Sequence, residues 1–160
     1  AFGCSIRSPK AIERLRALSG KKGDEFSIVC PDLSTISAYA RVDNAVFKVL
    51  KRNLPGPFTF VLNASGKVPD KFLEKRKTVG VRIPDHEFCQ GLLRRFGRPI
   101  VSTSANITGE PTPKRLPEIA REIVDGVDYV VNPRFEGRPT GKPSSIIAFT
   151  EDGGVKVIRQ

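Results

Sequence analysis

The sequence predicts an α/β protein: one domain built on a twisted sheet of mixed strand direction, flanked by helices. Three observations lead there. Short apolar runs alternate with capped, amphipathic segments for most of the chain, as interleaved strands and helices do. The C-terminal part is strand-rich, which mixes the strand directions. The 160 residues, 39% hydrophobic and 28% charged, suffice for one core of ordinary composition.

The elements follow from local chemistry. Ser8 caps a helix with Pro9 at its first position, Ile12, Leu15 and Leu18 form its inner stripe, and Gly20 ends it. A charged loop, Lys21–Glu25, leads into the strand Phe26–Cys30. Pro31-Asp32 opens a second helix to about Ser37. Asp43 or Asn44 caps a third, with Val46, Phe47, Val49 and Leu50 inward, and Pro55-Gly56-Pro57 stops it. Phe58–Leu62 reads as a strand, Pro69–Glu74 as a short helix and Thr78–Ile83 as a strand ended by Pro84. Asp85 is the expected cap of a helix from Glu87 to Phe96, closed by Gly97. Pro99–Thr103 is a strand, Leu116–Val124 a helix, and Tyr129–Val131, Ser145–Phe149 and Val155–Ile158 the last strands. The Pro-, Gly- and Arg-rich stretch from Asn132 to Pro143 is either a long connection or a lid.

Composition narrows the chemistry. The net charge is +10, which fits a polyanionic partner, either nucleic acid or nucleotide phosphates. The basic clusters carry no interleaved aromatics, so a single-strand stacking platform is not expected. Three cysteines without a C-x-x-C pair suggest neither a disulfide framework nor a zinc site, and a reducing, cytoplasmic setting is expected. No apolar run is long enough to span a bilayer. One histidine, His86, builds no histidine-rich metal centre and leaves one possible member of a hydrolytic triad. No Walker A, G-x-G-x-x-G or H-E-x-x-H pattern occurs.

What remains is a chemistry of hydroxyls, backbone N–H groups and cations. Ser102-Thr103-Ser104-Ala105-Asn106-Ile107-Thr108-Gly109 directly follows an apolar run. Ser102, Ser104 and Asn106 alternate, so they share one face if strand geometry continues. The alternative is a capped turn whose hydroxyls serve the backbone. Thr78 and Arg82 also share a face of their strand. Arg82 lies between Val81 and Ile83, a costly place for an ion unless it is paired. Its partner is either an anionic ligand, which arginine suits by its planar fork, or an internal carboxylate such as Asp85 or Glu87. Ser144 and Ser145 put further hydroxyls at the mouth of a strand, where ligands of open α/β sheets gather.

In order, Pro55-Gly56-Pro57-Phe58-Thr59, Thr78-Val79-Gly80-Val81-Arg82-Ile83-Pro84, Ser102 to Gly109, Ser144-Ser145-Ile146 and Val157-Ile158-Arg159 resemble the YrdC/Sua5/YciO family, the threonylcarbamoyl-AMP synthase superfamily. The resemblance covers essentially the whole chain and is closest to the YciO branch. It implies a YrdC-like mixed sheet around a basic cavity. It also implies a reaction that combines L-threonine, bicarbonate and ATP into threonylcarbamoyl-AMP and pyrophosphate, feeding threonylcarbamoyl modification of tRNA adenosine. Mg²⁺ would arrive on the ATP, with no dedicated protein metal site. Transfer RNA or double-stranded RNA would be a further partner. Residue by residue, it implies nucleotide contacts at Lys21, Thr78, Ser104, Asn106, Thr112 and Arg159, and threonine contacts at Arg82, Ser102 and Ser144. The alternative it carries is a YciO-like nucleotide or double-stranded RNA binding protein with little or no synthase activity.

Two departures from the family pattern stand out. The N-terminal strand and the Tyr-Pro-Thr-Asp/Glu-Ser/Thr-x-Tyr-Gly segment do not occur, and Ala1-Phe2-Gly3-Cys4 matches the tail of that segment. A wall of the threonine pocket is then expected from residues before Ala1. Ser19-Gly20-Lys21 stands where the family has Lys-x-Arg, and Glu25 where it has lysine. One cation is lost, and a carboxylate is placed where a cation is expected.

Overall fold

The structure is a computed structural model that describes residues 1–138, 142–150 and 154–160. Strand β1 (Phe2–Ser5) is followed by helix α1 (Pro9–Ser19), β2 (Ser27–Val29), α2 (Leu33–Tyr39) and α3 (Asn44–Asn53). Next come β3 (Phe58–Asn63), α4 (Asp70–Leu73), β4 (Thr78–Arg82), α5 (Glu87–Phe96) and β5 (Ile100–Thr103). The chain ends with α6 (Arg121–Gly126), β6 (Ser145–Phe149) and β7 (Val155–Arg159). The strands form one mixed sheet in the order β1-β5-β2-β4-β3-β6-β7. Among the described residues, only β2–β4 and β3–β6 are parallel.

The caps act as the sequence reading expects for α1, α2 and α3. The Ala11 amide donates to Ser8 Oγ at 3.2 Å. Those of Thr35 and Val46 donate to Asp32 and Asp43 at 2.7 and 2.8 Å. Gly20 closes α1 at φ 65°, a left-handed conformation that glycine adopts without strain.

The sheet divides its residues by alternation. Cys4, Val101, Ile28, Val81, Phe60 and Ile147 are register neighbours in successive strands. Four of them are fully buried, beneath Ile12, Leu15, Ile36, Leu50 and Phe72 from α1 to α4. Each such side chain contributes roughly 1.5–3 kcal/mol by leaving water. The adjacent row on the opposite face is Gly3, Ser102, Ser27, Gly80, Val61 and Ala148. It is small throughout, and this face is where the candidate site lies.

Gly3 has a steric reason. A Cβ there would overlap the Val101 carbonyl oxygen and reach 2.9 Å from Ile100 Cγ2. Gly3→Ala therefore forces β1 off β5, and a loss of about 1–3 kcal/mol is expected. A urea melt with an unchanged midpoint would contradict this close approach.

Several expectations are corrected. Strand β1 was not foreseen. Tyr129–Val131 forms no strand, and Tyr129 is 77% exposed. The segment pairs with no strand among the described residues, and a strand needs a ladder partner for its backbone groups. The expected helix Leu116–Val124 divides into a 3-10 turn, Leu116–Glu118, and α6, with Ile119 and Ala120 extended between them. Asp85 does not cap α5: His86 is the cap residue, without a side-chain cap bond. Phe47 is exposed rather than inward, whereas Val46 and Val49 pack on the core. Within Asn132–Pro143, Pro133–Phe135 is a 3-10 turn and Phe135 stacks on Phe88 at 4.6 Å, while residues 132–138 are exposed. Residues 139–141 of that stretch lie outside the described residues.

Candidate anion-binding site

The site begins where β5 ends. Ser102 belongs to the strand, but strand geometry stops at Thr103, so Ser104 and Asn106 do not continue the alternation. They curl instead around Lys21. Its Nζ donates to the Ser104 carbonyl and to Ser104 Oγ, both at 2.7 Å, to Asn106 Oδ1 at 3.0 Å and to Thr103 Oγ1 at 3.3 Å. Lys21 is only 6% exposed. Burial lowers the ammonium's proton affinity, and Glu25 works against that. Four oxygens around three N–H groups replace the water that it gave up.

Three further bonds hold the loops together. Thr103 Oγ1 donates to the Glu25 carbonyl at 2.9 Å. The Thr108 amide and hydroxyl donate to the Ser19 carbonyl at 2.9 and 3.2 Å. Among the described residues, the backbone N–H groups of Ala105, Asn106 and Ile107 have no acceptor. Consecutive N–H groups bind anions where the backbone makes them converge into a nest.

Arg82 lies at the other end of the same face, about 13 Å from Thr78 along β4 by strand rise. It is half-buried, and its guanidinium makes no hydrogen bond or ion pair with a described residue. The internal pairing with Asp85 or Glu87 does not occur. Burial lowers its proton affinity, Cys89 opposes this, and the nearby guanidinium of Arg159 adds to it. Arg159 is engaged: its Nε and Nη2 donate to the Ser144 carbonyl at 3.2 and 2.9 Å. Ser144 Oγ in turn shares a hydrogen with Thr59 Oγ1 at 2.9 Å.

The structure therefore brings the expected residues together in two groups. Lys21, Ser104 and Asn106 form one, with Thr78 at the same end of the sheet. Arg82, Arg159 and Ser144 form the other, and Ser102 lies in the small row between them. Thr112 is exposed on the loop after Gly109 and makes no described contact with either group. Sequence reasoning missed Thr59 and Thr103, both buried polar residues. A lone hydroxyl between Phe58 and Phe60 in an apolar strand was the available signal for Thr59.

Other chemistries find less support. Burial raises the Cys4 and Cys30 thiols to about 11 and about 12, far from a reactive thiolate. No group of three or more His, Cys, Asp or Glu among the described residues is placed to hold a metal ion. No helix among them is long and apolar enough to cross a membrane. A hollow of about 370 Å³ lies between α1 and α4. Its lining is occupied by its own ion pairs, Lys71–Glu13 at 2.6 Å and Arg16–Glu74 at 3.6 Å.

The fold is thus a mixed sheet with an amide- and hydroxyl-rich loop at one end of a strand face and, at the other, an arginine whose side chain has no partner among the described residues. This chain belongs to the Sua5/YciO/YrdC family, whose model, described as telomere recombination, matches residues 1–160. The uncharacterized protein YciO of Escherichia coli (strain K12) is 37% identical over 160 residues, 98% of this chain and 76% of the relative. The threonylcarbamoyl-AMP synthase of Idiomarina loihiensis is 30% identical over 152 residues, 91% of this chain and 80% of that protein. The crystal structure of E. coli YciO matches with a TM-score of 0.85 at 36% identity, over 99% of this chain and 76% of that one. P. abyssi Sua5 complexed with L-threonine matches with a TM-score of 0.87 at 27% identity, over 98% of this chain and 46% of that one.

Proposed function

We propose that this protein holds ATP and L-threonine end to end on the small-residue face, and joins them with bicarbonate into threonylcarbamoyl-AMP, releasing pyrophosphate. The observation that carries the reading is the pair of groups on one strand face. The Ser104–Ile107 loop offers donors to phosphate, and Arg82 offers an unspent guanidinium to a carboxylate. Lys21, Thr78, Ser104 and Asn106 form the nucleotide side in this reading, and Arg82, Ser102 and Ser144 the threonine side. Arg159, expected at the nucleotide, stands with Ser144 at the threonine end, and Thr112 would reach the nucleotide only from its exposed loop. Similarity to a threonylcarbamoyl-AMP synthase and to Sua5 complexed with L-threonine supports it. Mg²⁺ enters with ATP. The protein's part is positioning and charge stabilisation, and the product supplies tRNA threonylcarbamoylation.

The test is pyrophosphate release by the intact protein. Release is expected only when ATP, L-threonine and bicarbonate are all present. Release that ignores threonine, or no release at all, would overturn the synthase reading.

A second reading has one observation in its favour. Ser19 stands where the resemblance places a lysine, and its hydroxyl is fully buried, donating to the Leu15 carbonyl at 2.9 Å. A cation is missing from the nucleotide end. In this reading the chain binds nucleotide or double-stranded RNA without synthesis. RNA affinity that falls steeply with salt, since phosphate contacts release counterions, together with no pyrophosphate release, would select it.

A further inference from the structure

We infer that Lys21 is a positioning residue that orients the polar atoms of the Thr103–Asn106 loop, so that the loop shows an anion donors only. The inference rests on the nucleotide side of the reading above and gives Lys21 a role distinct from touching phosphate.

The argument is an account of donors and acceptors. A lysine ammonium only donates. Ser104 Oγ, at 2.7 Å from Nζ, must therefore accept, and its own proton is left to point elsewhere. Asn106 Oδ1 also accepts from Nζ. This fixes the amide orientation, and Nδ2 donates to the Glu110 and Ile107 carbonyls at 2.9 and 3.3 Å. The Ser104 carbonyl accepts from the same ammonium. Thr103 Oγ1 lies 3.3 Å from Nζ and gives its proton to the Glu25 carbonyl.

The side-chain oxygens of Thr103, Ser104 and Asn106 and the Ser104 carbonyl thus all turn toward Lys21. What remains is the Ser104 O–H and the N–H groups of Ala105, Asn106 and Ile107, which have no acceptor among the described residues. A ligand that only accepts hydrogen bonds, such as a phosphate or pyrophosphate oxygen, then meets no opposing lone pair from the side chains of Thr103, Ser104 and Asn106. With its protons spent on four loop oxygens, Lys21 acts on that ligand through Ser104.

In this chain lysine stands where the resemblance places arginine, and the loop oxygens are arranged around that lysine. Four oxygens around a single nitrogen suit a compact ammonium, whereas arginine spreads five donors over a planar fork. Lys21→Arg keeps the charge and loses the arrangement, and Lys21→Met loses both.

Two measurements test this, with inorganic pyrophosphate and ATP as probes. By calorimetry, Lys21→Arg and Lys21→Met should both bind more weakly than wild type, by about ten- to a hundredfold, the factor carried by a hydrogen bond to a charged group. Thermal melts confirm that each variant is folded. Arginine restoring wild-type affinity would overturn the inference, because a bare charge or a direct phosphate ligand would then suffice. By ¹⁵N NMR of the wild type, the Lys21 ammonium should give a slowly exchanging signal without ligand, and the signal should stay in place on adding pyrophosphate. No protected signal, or a large shift that saturates with the titration, would also overturn it. This second measurement holds even if neither variant folds. Pyrophosphate binding without pyrophosphate release would overturn the synthase reading and leave this inference standing. Failure of the wild type to bind either probe would overturn both.

Discussion

Replacing Arg82 by methionine is expected to abolish measurable threonine binding while leaving the melting temperature unchanged or slightly higher. The two halves of that result share one cause. Arg82 sits half-buried at the end of β4 with no carboxylate partner among the described residues. The folded protein therefore carries the desolvation of a guanidinium without a pairing energy to offset it. Methionine keeps the aliphatic packing and removes that cost. Threonine's carboxylate would supply the missing partner, and losing one side of such a charge pair costs about 2–5 kcal/mol of binding. Calorimetry with L-threonine and a thermal melt on the same sample check both halves. A large fall in melting temperature would mean that Arg82 is structural. Wild-type threonine affinity would mean that the carboxylate is held elsewhere.

Phe60→Ala should show the opposite profile. Phe60 is fully buried in β3, pairs in register with Val81 and Ile147, and stacks with Phe149 at 6.1 Å. Truncating a core phenylalanine costs about 3–5 kcal/mol, a large part of the 5–15 kcal/mol that holds a domain together. Denaturant melts should show that loss as a lower midpoint. Ligand affinity should persist where the variant is still folded, because Phe60 points to the helix-covered face and the site lies on the other. Its neighbour Thr59 points to the site face, where its Oγ1 meets Ser144 Oγ at 2.9 Å. Thr59→Val should weaken threonine binding with little change in stability. Equal effects of Phe60→Ala and Thr59→Val on either property would contradict the division of the sheet into a core face and a site face.

That division was legible in the sequence where alternation is strict, as in Thr78-Val79-Gly80-Val81-Arg82. It was not legible in Phe2-Gly3-Cys4-Ser5, where a four-residue strand with a glycine gives no period to read. Helices declared themselves through caps: Ser8-Pro9 with Gly20, and Asp43 before Asn44. Tyr129-Val130-Val131 carries strand composition without a strand, because strand formation is decided by a partner that composition cannot reveal. The site was readable as a set of residue types, since Ser104, Asn106 and Arg82 stand in motifs with a chemical rationale. The direction of Lys21 was not readable. A lysine beside a phosphate-type loop points outward or inward according to which oxygens the fold brings to it. Here Thr103, Ser104 and Asn106 arrive from more than eighty positions away. The engagement of Arg159 by the Ser144 carbonyl is hidden for the same reason: it depends on β6 pairing with β7.

The most direct test of the central claim, two ligands held end to end on one strand face, is ATP binding to the intact protein by calorimetry, with and without L-threonine and bicarbonate. ATP affinity that rises when threonine and bicarbonate are present is the predicted result, because the ligands would complete one site from its two ends. ATP binding that ignores threonine, or no ATP binding under any of these conditions, would contradict it.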